Sequence, residues 1–271
     1  MGDVGTYLIT GATGGIGAAV AELLQEDRHD LILTARSPDR LAELVKHLAS
    51  PVLGKTQAIS RERLAASGMA GSRPADGSRV ATGSGTSNIR TVPLDLNHPR
   101  RMEAALAVAD LPDRLDGIVH SAGGVELGRI ADMEADDWID QLMVNLVGAA
   151  ELTRLLLPAL RAAHGHVVFV NSGSGLRARP GWAAYAASKH GLRALADALR
   201  DEEPSLAVTS VYPGRTASEM QRKVRAQEGV EYDPDAFIQP LTVAKIIVNA
   251  LETPRDAVVT DISVRSREPK P

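Results

Sequence analysis

Apolar positions along this chain follow two alternating patterns. Short apolar runs predict strands, and longer segments with the spacing of an amphipathic helix separate them. Strands that alternate with helices indicate βαβ units with right-handed crossovers. The sequence therefore predicts an α/β fold, a Rossmann-like doubly wound and mainly parallel seven-stranded sheet with helices on both faces. The predicted strands are Tyr7–Thr10, Leu31–Thr34, Ile89–Pro93, Leu115–His120, His166–Asn171, Ala207–Tyr212 and Ala257–Asp261. The predicted helices cover about 15–26, 38–49, 98–109, 136–163, 181–203 and 240–252.

Residues 51–88 interrupt this alternation. The segment has no periodicity, is rich in Gly and Ser, and stands where a few residues would connect a helix to a strand. Its composition favours a disordered surface insertion within one domain that covers residues 1–271. A partner-binding arm, since basic residues outnumber acidic ones there, and an artefact of the gene model are the alternatives.

Composition narrows the function classes. Apolar residues make up 44% of the chain and aromatic residues only 3%, so Ala, Val, Leu and Ile must form the core, as suits helices on a parallel sheet. The net charge of −4 gives no electrostatic case for nucleic acid. Without cysteine there is no disulfide or thiolate chemistry. Neither a signal peptide nor an apolar run of about 18 residues is visible, so we expect a cytoplasmic protein with no membrane partner. We also expect no metal site.

A glycine-rich turn follows the first predicted strand. The strand ends at Thr10, and Gly11, Gly15 and Gly17 precede or open an Ala-rich helix. Glycine permits a tight turn, lets backbone amides approach a pyrophosphate and allows close packing of strand and helix. The start of the helix offers unpaired N–H groups to phosphates. This pattern predicts a dinucleotide site.

The end of the second predicted strand bears on the choice of dinucleotide. NAD enzymes usually place a carboxylate there to bind the adenosine 2′-hydroxyl. This chain instead has Ala35 followed by Arg36. A guanidinium suits a 2′-phosphate, which it can bind through charged hydrogen bonds. We therefore predict NADP(H) in preference to NAD(H), against the alternative of a solvated arginine.

Three residues form a candidate catalytic cluster. Tyr185 and Lys189 stand four apart in a predicted helix, which places them on one face. A nearby ammonium stabilises a phenolate and lowers the pKa of the phenol, which is about 10 in a free tyrosine. Ser172, just after the fifth predicted strand, can donate a hydrogen bond to the same substrate oxygen. The cluster predicts proton transfer to or from a substrate oxygen.

Together these motifs resemble the short-chain dehydrogenase/reductase family in its compact, single-domain form. The resemblance covers the chain outside 51–88, and it implies hydride transfer with NADP(H) between a small-molecule carbonyl compound and a secondary alcohol. It also implies a homodimer or homotetramer, formed through the helices at 136–163 and 181–203. The implied catalytic residues are Asn145, Ser172, Tyr185 and Lys189. The implied cofactor-binding residues are Thr10, Gly11, Thr13, Gly15, Ile16, Gly17, Arg36, Asp95, Leu96, Ser121, Ala122, Gly123, Tyr185, Lys189, Pro213, Gly214 and Thr216.

Other features leave the substrate and the activity open. His120 and Ser121 replace two asparagines of the family pattern, and the loop at about 215–239 is expected to act as a lid. Arg177 and Arg179 either recognise an anionic substrate or are simply solvated, which is the commoner state of arginine. A protein that binds NADP(H) as a sensor or scaffold, and an inert paralogue that assembles with active subunits, are the alternative functions.

Overall fold

The computed structural model describes residues 4–49 and 87–267. Their strands form one seven-stranded sheet in the order β3-β2-β1-β4-β5-β6-β7, and every neighbouring pair is parallel. The predicted doubly wound fold is confirmed. The strands are β1 Thr6–Thr10, β2 Asp30–Ala35, β3 Ile89–Pro93, β4 Gly117–His120, β5 His166–Val170, β6 Ala207–Pro213 and β7 Asp261–Val264. The helices of the described segments are α1 Gly15–Glu26, α2 Pro38–Leu48, α3 Met102–Ala107, α4 Ala135–Ala163, α5 Ala183–Glu202, α6 Glu219–Gln227 and α7 Pro240–Leu251.

Two apolar layers enclose the sheet. Successive side chains of a strand point to opposite faces, so the neighbours Leu8 and Ile9 of β1 belong to different layers. The layer around Ile9 packs against α1, α2 and α7. The layer around Leu8 includes Leu152 and Leu156 of α4 and Leu192 of α5. The sheet is therefore covered on both faces, which leaves its carboxyl edge to carry the site.

Three predicted elements differ from the structure. The predicted helix at 98–109 is a 3₁₀ turn at Pro99–Arg101 that leads into the shorter α3. The last strand was placed four residues early: Val258 is 43% exposed, and pairing with β6 begins at Asp261. Helix α6 lies within the predicted loop 215–239 and is polar enough to hide its helical period.

Residues 51–86 of the predicted insertion lie outside the described residues. Asn88 at its end donates its backbone N–H to Asp30 of β2.

Helix α4 is long and apolar. Among the described residues it is the one helix that length and composition would allow to cross a membrane, with a mean hydropathy of 1.4 over 18 residues, of which 33% are buried. Its Leu152, Leu156 and Leu160 pack against the sheet. A π turn at Met143–Val147 interrupts it, with the buried side chain of Asn145 at its centre. One side of this helix packs in the core, and its other side is exposed to solvent.

Candidate active site

A cleft of about 370 Å³ lies at the carboxyl edge of the sheet. The segments that follow β4, β5 and β6 contribute to its walls, as do the start of α1 and the first turns of α5. This is where parallel sheets bind ligands, because loops diverge there. The structure brings most of the predicted site residues to this one place. Those that line the cleft are Ile16, Ser121, Ala122, Gly123, Ser172, Tyr185, Lys189, Pro213, Gly214 and Thr216.

Two glycines of the glycine-rich turn are too close to their neighbours to carry side chains. Gly11 has φ 60°, and a Cβ on it would stand 2.7 Å from the Cα of Ala122. A Cβ on Gly17 would stand 2.4 Å from the carbonyl oxygen of Gly11. Helix α1 begins at Gly15 without any side-chain cap from Gly14. The first turn of α1 thus presents a bare backbone, which suits a phosphate.

The ends of β1 and β4 are joined by one hydroxyl. Thr10 is fully buried, and its Oγ1 accepts hydrogen bonds from the backbone N–H groups of Ser121 and Ala122, both at 3.1 Å. Beyond β3, Asp95 Oδ1 accepts from the N–H of Asn97 at 3.0 Å, while Leu96 is buried against α4. These contacts fix the loops that follow β1, β3 and β4.

Two arginines stand beyond the end of β2. Arg36 is exposed immediately after Ala35. Arg40, in the first turn of α2, donates from Nη2 to the carbonyl oxygen of Thr13 at 2.9 Å, across the glycine-rich turn. Sequence reasoning missed Arg40, although it stands only four residues after Arg36 in the chain.

The candidate catalytic residues converge as predicted. Tyr185 is 7% exposed and Lys189 is 4% exposed, and both line the cleft. The Ser172 hydroxyl lies close enough to the Tyr185 phenol to lower its pKa. Lys189 Nζ lies 5.8 Å from the centroid of the Tyr185 ring and donates to the carbonyl oxygen of Val170 at 3.0 Å. A phenol, a hydroxyl and an ammonium therefore share one wall of the cleft.

The pKa of Tyr185 differs from the expectation based on the sequence. Burial raises the pKa of Tyr185 above its ordinary value, and the hydrogen bond with Ser172 only partly offsets it. Burial also lowers the pKa of Lys189 to about 8. The predicted lowering of the Tyr185 pKa by Lys189 is therefore wrong, because burial raises that pKa and Ser172 is the group that opposes the shift. A protonated phenol at neutral pH suits proton donation.

Asn171 holds the serine against the catalytic helix. Its Oδ1 accepts from the backbone N–H of Ser172 at 2.8 Å, and its Nδ2 donates to the carbonyl oxygen of Lys189 at 3.1 Å. The end of β5 and helix α5 are thereby fixed relative to each other. Sequence reasoning missed this positioning residue, because its partner is eighteen residues away.

The predicted Asn145 makes a second buried bridge. Its Oδ1 accepts from the N–H of Gly124 at 2.8 Å, and its Nδ2 lies 2.9 Å from both the Gly124 carbonyl oxygen and Ser188 Oγ. Ser188 Oγ in turn donates to the carbonyl oxygen of Tyr185 at 2.7 Å. The π turn that carries Asn145 is a form of helix often found at functional sites. One amide thus joins the loop after β4 to the turn of α5 that presents the phenol.

His120 occupies the position where the family pattern has asparagine. It is buried, stacks on Phe169 at a centroid distance of 4.9 Å, and its Nε2 lies 2.9 Å from Thr153 Oγ1. Burial, assisted by the charge of Lys189, lowers the pKa of His120 to about 3. Burial lowers the pKa of His166 to about 4. Both imidazoles are therefore neutral in the folded protein at mildly acidic pH.

These two histidines predict a loss of stability in acid. Between pH 6.5 and the lowered pKa values, the unfolded chain binds protons that the folded chain does not, so stability falls as the pH falls. From pH 7 to pH 5 we expect the free energy of unfolding to drop by up to about 2 kcal/mol for each buried imidazole. Urea titrations at both pH values measure this. The variant His120→Leu should show a drop that is smaller by up to about 2 kcal/mol, whereas the exposed-site control His190→Leu should keep the full drop.

Helix α6 closes the far side of the cleft. Glu228, which follows α6, forms ion pairs with Arg215, at 2.5 Å, and with Arg225, at 3.1 Å. Lys223 pairs with Glu126 of the opposite loop at 2.6 Å. In this wall the buried Nε2 of Gln221 has no hydrogen-bond partner. A buried donor without a partner is costly, and Gln221 is among the residues that line the cleft.

A metal site finds no support in residues 4–49 and 87–267. These residues contain no group of three histidine, aspartate or glutamate side chains that could hold a metal ion.

The fold and this cleft are those of a Rossmann-like protein with its site at the carboxyl edge of the sheet, and comparison with known proteins identifies the family. The chain matches the model of the family described as short chain dehydrogenase over residues 6–62 and 63–229, and it belongs to that family. An uncharacterized oxidoreductase of Staphylococcus aureus (strain N315) is 23% identical over 262 residues, covering 95% of each chain.

Solved structures show the same fold. An alcohol dehydrogenase from the archaeon Thermococcus sibiricus, complexed with 5-hydroxy-NADP, is 22% identical and has a TM-score of 0.78, with 99% of each chain covered. A putative short chain dehydrogenase from Escherichia coli CFT073, complexed with NADPH, is 22% identical and has a TM-score of 0.73, with 98% of each chain covered.

Proposed function

We propose that this protein is an NADP(H)-dependent oxidoreductase that interconverts a carbonyl compound and a secondary alcohol, with Tyr185 as the acid and base. The observation that carries the proposal is the convergence of Tyr185, Ser172 and Lys189 in one cleft with the bare glycine-rich turn. Membership of the family supports the reaction class. The NADP complexes among the solved relatives support the choice of cofactor.

The residues of the cleft fit a nicotinamide dinucleotide. Gly11 and Gly17 of the glycine-rich turn have no room for a side chain, which lets a pyrophosphate approach the backbone there. Gln221 lines the same cleft. Thr216, which is buried beside Pro213 and Gly214, would face the nicotinamide, while Arg36 and Arg40 would bind a 2′-phosphate.

The bound cofactor supplies or accepts a hydride at the carbonyl carbon. During reduction, Tyr185 donates its phenolic proton to the carbonyl oxygen as negative charge develops there. Ser172 donates a hydrogen bond to the same oxygen and stabilises that charge. Lys189 places a positive charge beside the phenolate that remains, which lowers the energy of the charged state.

An assay of NADPH consumption against a panel of aldehydes and ketones tests this proposal. A sensor or scaffold would bind NADPH tightly and turn over none of them. The intact cluster of Ser172, Tyr185 and Lys189 favours the enzyme, because binding alone needs no buried acid. Loss of turnover in a Tyr185 variant that still binds NADPH is the result that identifies catalysis.

The choice of cofactor has its own test. Arg36→Ala should lower the preference for NADPH over NADH, measured as the ratio of the two kcat/KM values, by about 10–100-fold, since charged hydrogen bonds contribute about 1.5–3 kcal/mol each. The control Arg28→Ala removes an exposed arginine at the other end of β2 and should leave the ratio unchanged. An unchanged ratio in Arg36→Ala would show that the guanidinium is merely solvated.

Two further properties are part of the proposal. We expect a cytoplasmic protein that acts on a small molecule, without a nucleic-acid or membrane partner. We also expect a homodimer or homotetramer formed through α4 and α5. The exposed Ile139 and Val147 of α4 support such an interface, since apolar side chains are favoured there.

A further inference from the structure

The charges that line the cleft are all of one sign. Besides Lys189, four arginines contribute to its walls, and no aspartate or glutamate does. They are Arg177, Arg179, Arg215 and Arg265. Cationic side chains without nearby anions concentrate negative ligands in a cleft, because low-dielectric walls focus their field.

Not all of these cations are available to a ligand. Arg215 donates two hydrogen bonds to the carboxylate of Glu228, and the buried ammonium of Lys189 donates one to the carbonyl oxygen of Val170. The other three arginines have no carboxylate within ion-pair distance in the described part of the chain. Three guanidinium groups therefore remain unbalanced in the cleft.

Arg265 is the one that lies beside Gly173, the residue after Ser172. It follows Val264 at the end of β7, and its Nη1 donates to the carbonyl oxygen of Tyr212 at 3.3 Å. The same nitrogen lies 3.1 Å from the point where a Cβ on Gly173 would stand. Gly173 is the residue next to Ser172, so the absence of a side chain there makes room for the guanidinium. Sequence reasoning gave Arg265 no role, because it stands in the polar tail after the last predicted strand.

We infer that the carbonyl substrate of this enzyme carries a carboxylate and that Arg265 binds it. The inference rests on the proposed function. A guanidinium offers parallel N–H donors that match the two oxygens of a carboxylate. Arg177 and Arg179, exposed in the same lining, attract the anion to the cleft.

The reaction is then the reduction of an oxo acid to a hydroxy acid. A hydride from NADPH forms the new C–H bond at the ketone carbon, and the carbon–oxygen π bond breaks. The ketone oxygen takes the proton of Tyr185, NADPH becomes NADP⁺, and the carboxylate is unchanged. Of the groups of the substrate, Arg265 contacts only the carboxylate. It therefore determines which ketone is held beside Ser172.

Matched pairs of acid and ester test the inference. Pyruvate, acetoacetate and levulinate vary the distance between ketone and carboxylate, and their methyl esters remove the charge. We expect kcat/KM for the best acid to exceed that for its ester by about 10–100-fold, the range of one or two charged hydrogen bonds. Comparing kcat/KM for dihydroxyacetone phosphate with that for dihydroxyacetone tests whether the cleft prefers a phosphate group.

Variants then assign the effect to the residue. Arg265→Gln should raise the KM for the acid about 10–100-fold and leave the KM values for its ester and for NADPH unchanged. Arg265→Lys, which keeps the charge, should recover part of the loss. The control Arg28→Gln, at the opposite edge of the sheet, should change none of these values.

Four results would overturn the inference. They are equal turnover of acid and ester, a preference for the phosphate, a raised KM for NADPH in Arg265→Gln, and turnover of neutral ketones alone. If nothing is turned over, the proposed function fails separately, and calorimetric titration of acetoacetate into the NADP⁺-loaded protein still decides the site. Binding that Arg265→Gln abolishes supports it, and absence of binding overturns it.

Discussion

Replacing Tyr185 by phenylalanine is expected to lower kcat/KM for carbonyl reduction by about 10²–10⁴-fold, the usual contribution of a positioned proton donor. The phenyl ring fills the same buried space, so the fold and the contact with Trp182, at a ring-centroid distance of 5.9 Å, should remain. The dissociation constant of NADPH, measured by fluorescence titration, should change little. A large loss of turnover with retained binding would place Tyr185 in the chemical step.

The same change elsewhere in the chain provides the control. Tyr7→Phe removes a phenolic oxygen from the start of β1, at the edge of the sheet opposite the cleft, and should leave kcat/KM unaltered. Activity of Tyr185→Phe within threefold of the parent enzyme would contradict the mechanism. Equal losses in both variants would instead indicate damage to the fold.

Replacing Gly17 by alanine is expected to weaken NADPH binding by at least about 100-fold. The new Cβ would meet the carbonyl oxygen of Gly11 at 2.4 Å and the Cα of Ala12 at 3.1 Å. Both contacts are with backbone, so α1 must move away from the turn that is to hold the phosphates. Overpacking of this kind typically costs about 1–3 kcal/mol of folding stability as well. Calorimetric titration and thermal unfolding measure the two effects.

An alanine substitution elsewhere on α1 provides the control, because it causes no such clash. Gln25→Ala lies at the other end of that helix and should leave both the affinity for NADPH and the melting temperature near those of the parent. Tight binding of NADPH by Gly17→Ala would show that the turn does not hold the cofactor in the way proposed.

The sheet was predictable from the chain because its strands are buried on both faces. Such strands appear as short apolar runs, and the predicted bounds of β1, β2, β5 and β6 lie within a residue of the observed ones. Helix α6 was not predictable, since Gln221 and Val224 are its only buried residues. The last strand was misplaced because the apolar Ala257, Val258 and Val259 resemble a strand but lie before the pairing with β6.

The site was predictable where its residues are close in sequence or follow a strand. The glycine-rich turn, the pair Tyr185 and Lys189, and Ser172 all meet that condition. Contacts between distant segments were not visible, which is why Asn171 and Arg265 received no role. The direction of the pKa shift of Tyr185 was also wrong, since burial depends on the packed structure.

The π turn in α4 has a consequence for how this helix can vary. An α-helical residue advances by about 100° around the axis, so the extra residue of a π turn changes the angular phase between the two halves of the helix. The amino-terminal half directs Gln141 to the backbone of Glu126, while the carboxyl-terminal half directs Leu152 to the sheet. Deleting a single residue near Asn145 would convert the π turn into an α-helical turn. The two halves would keep their directions, but Asn145 would lose the widened turn that places its amide between Gly124 and Ser188. Length changes are therefore far less tolerable here than substitutions on its uncovered side.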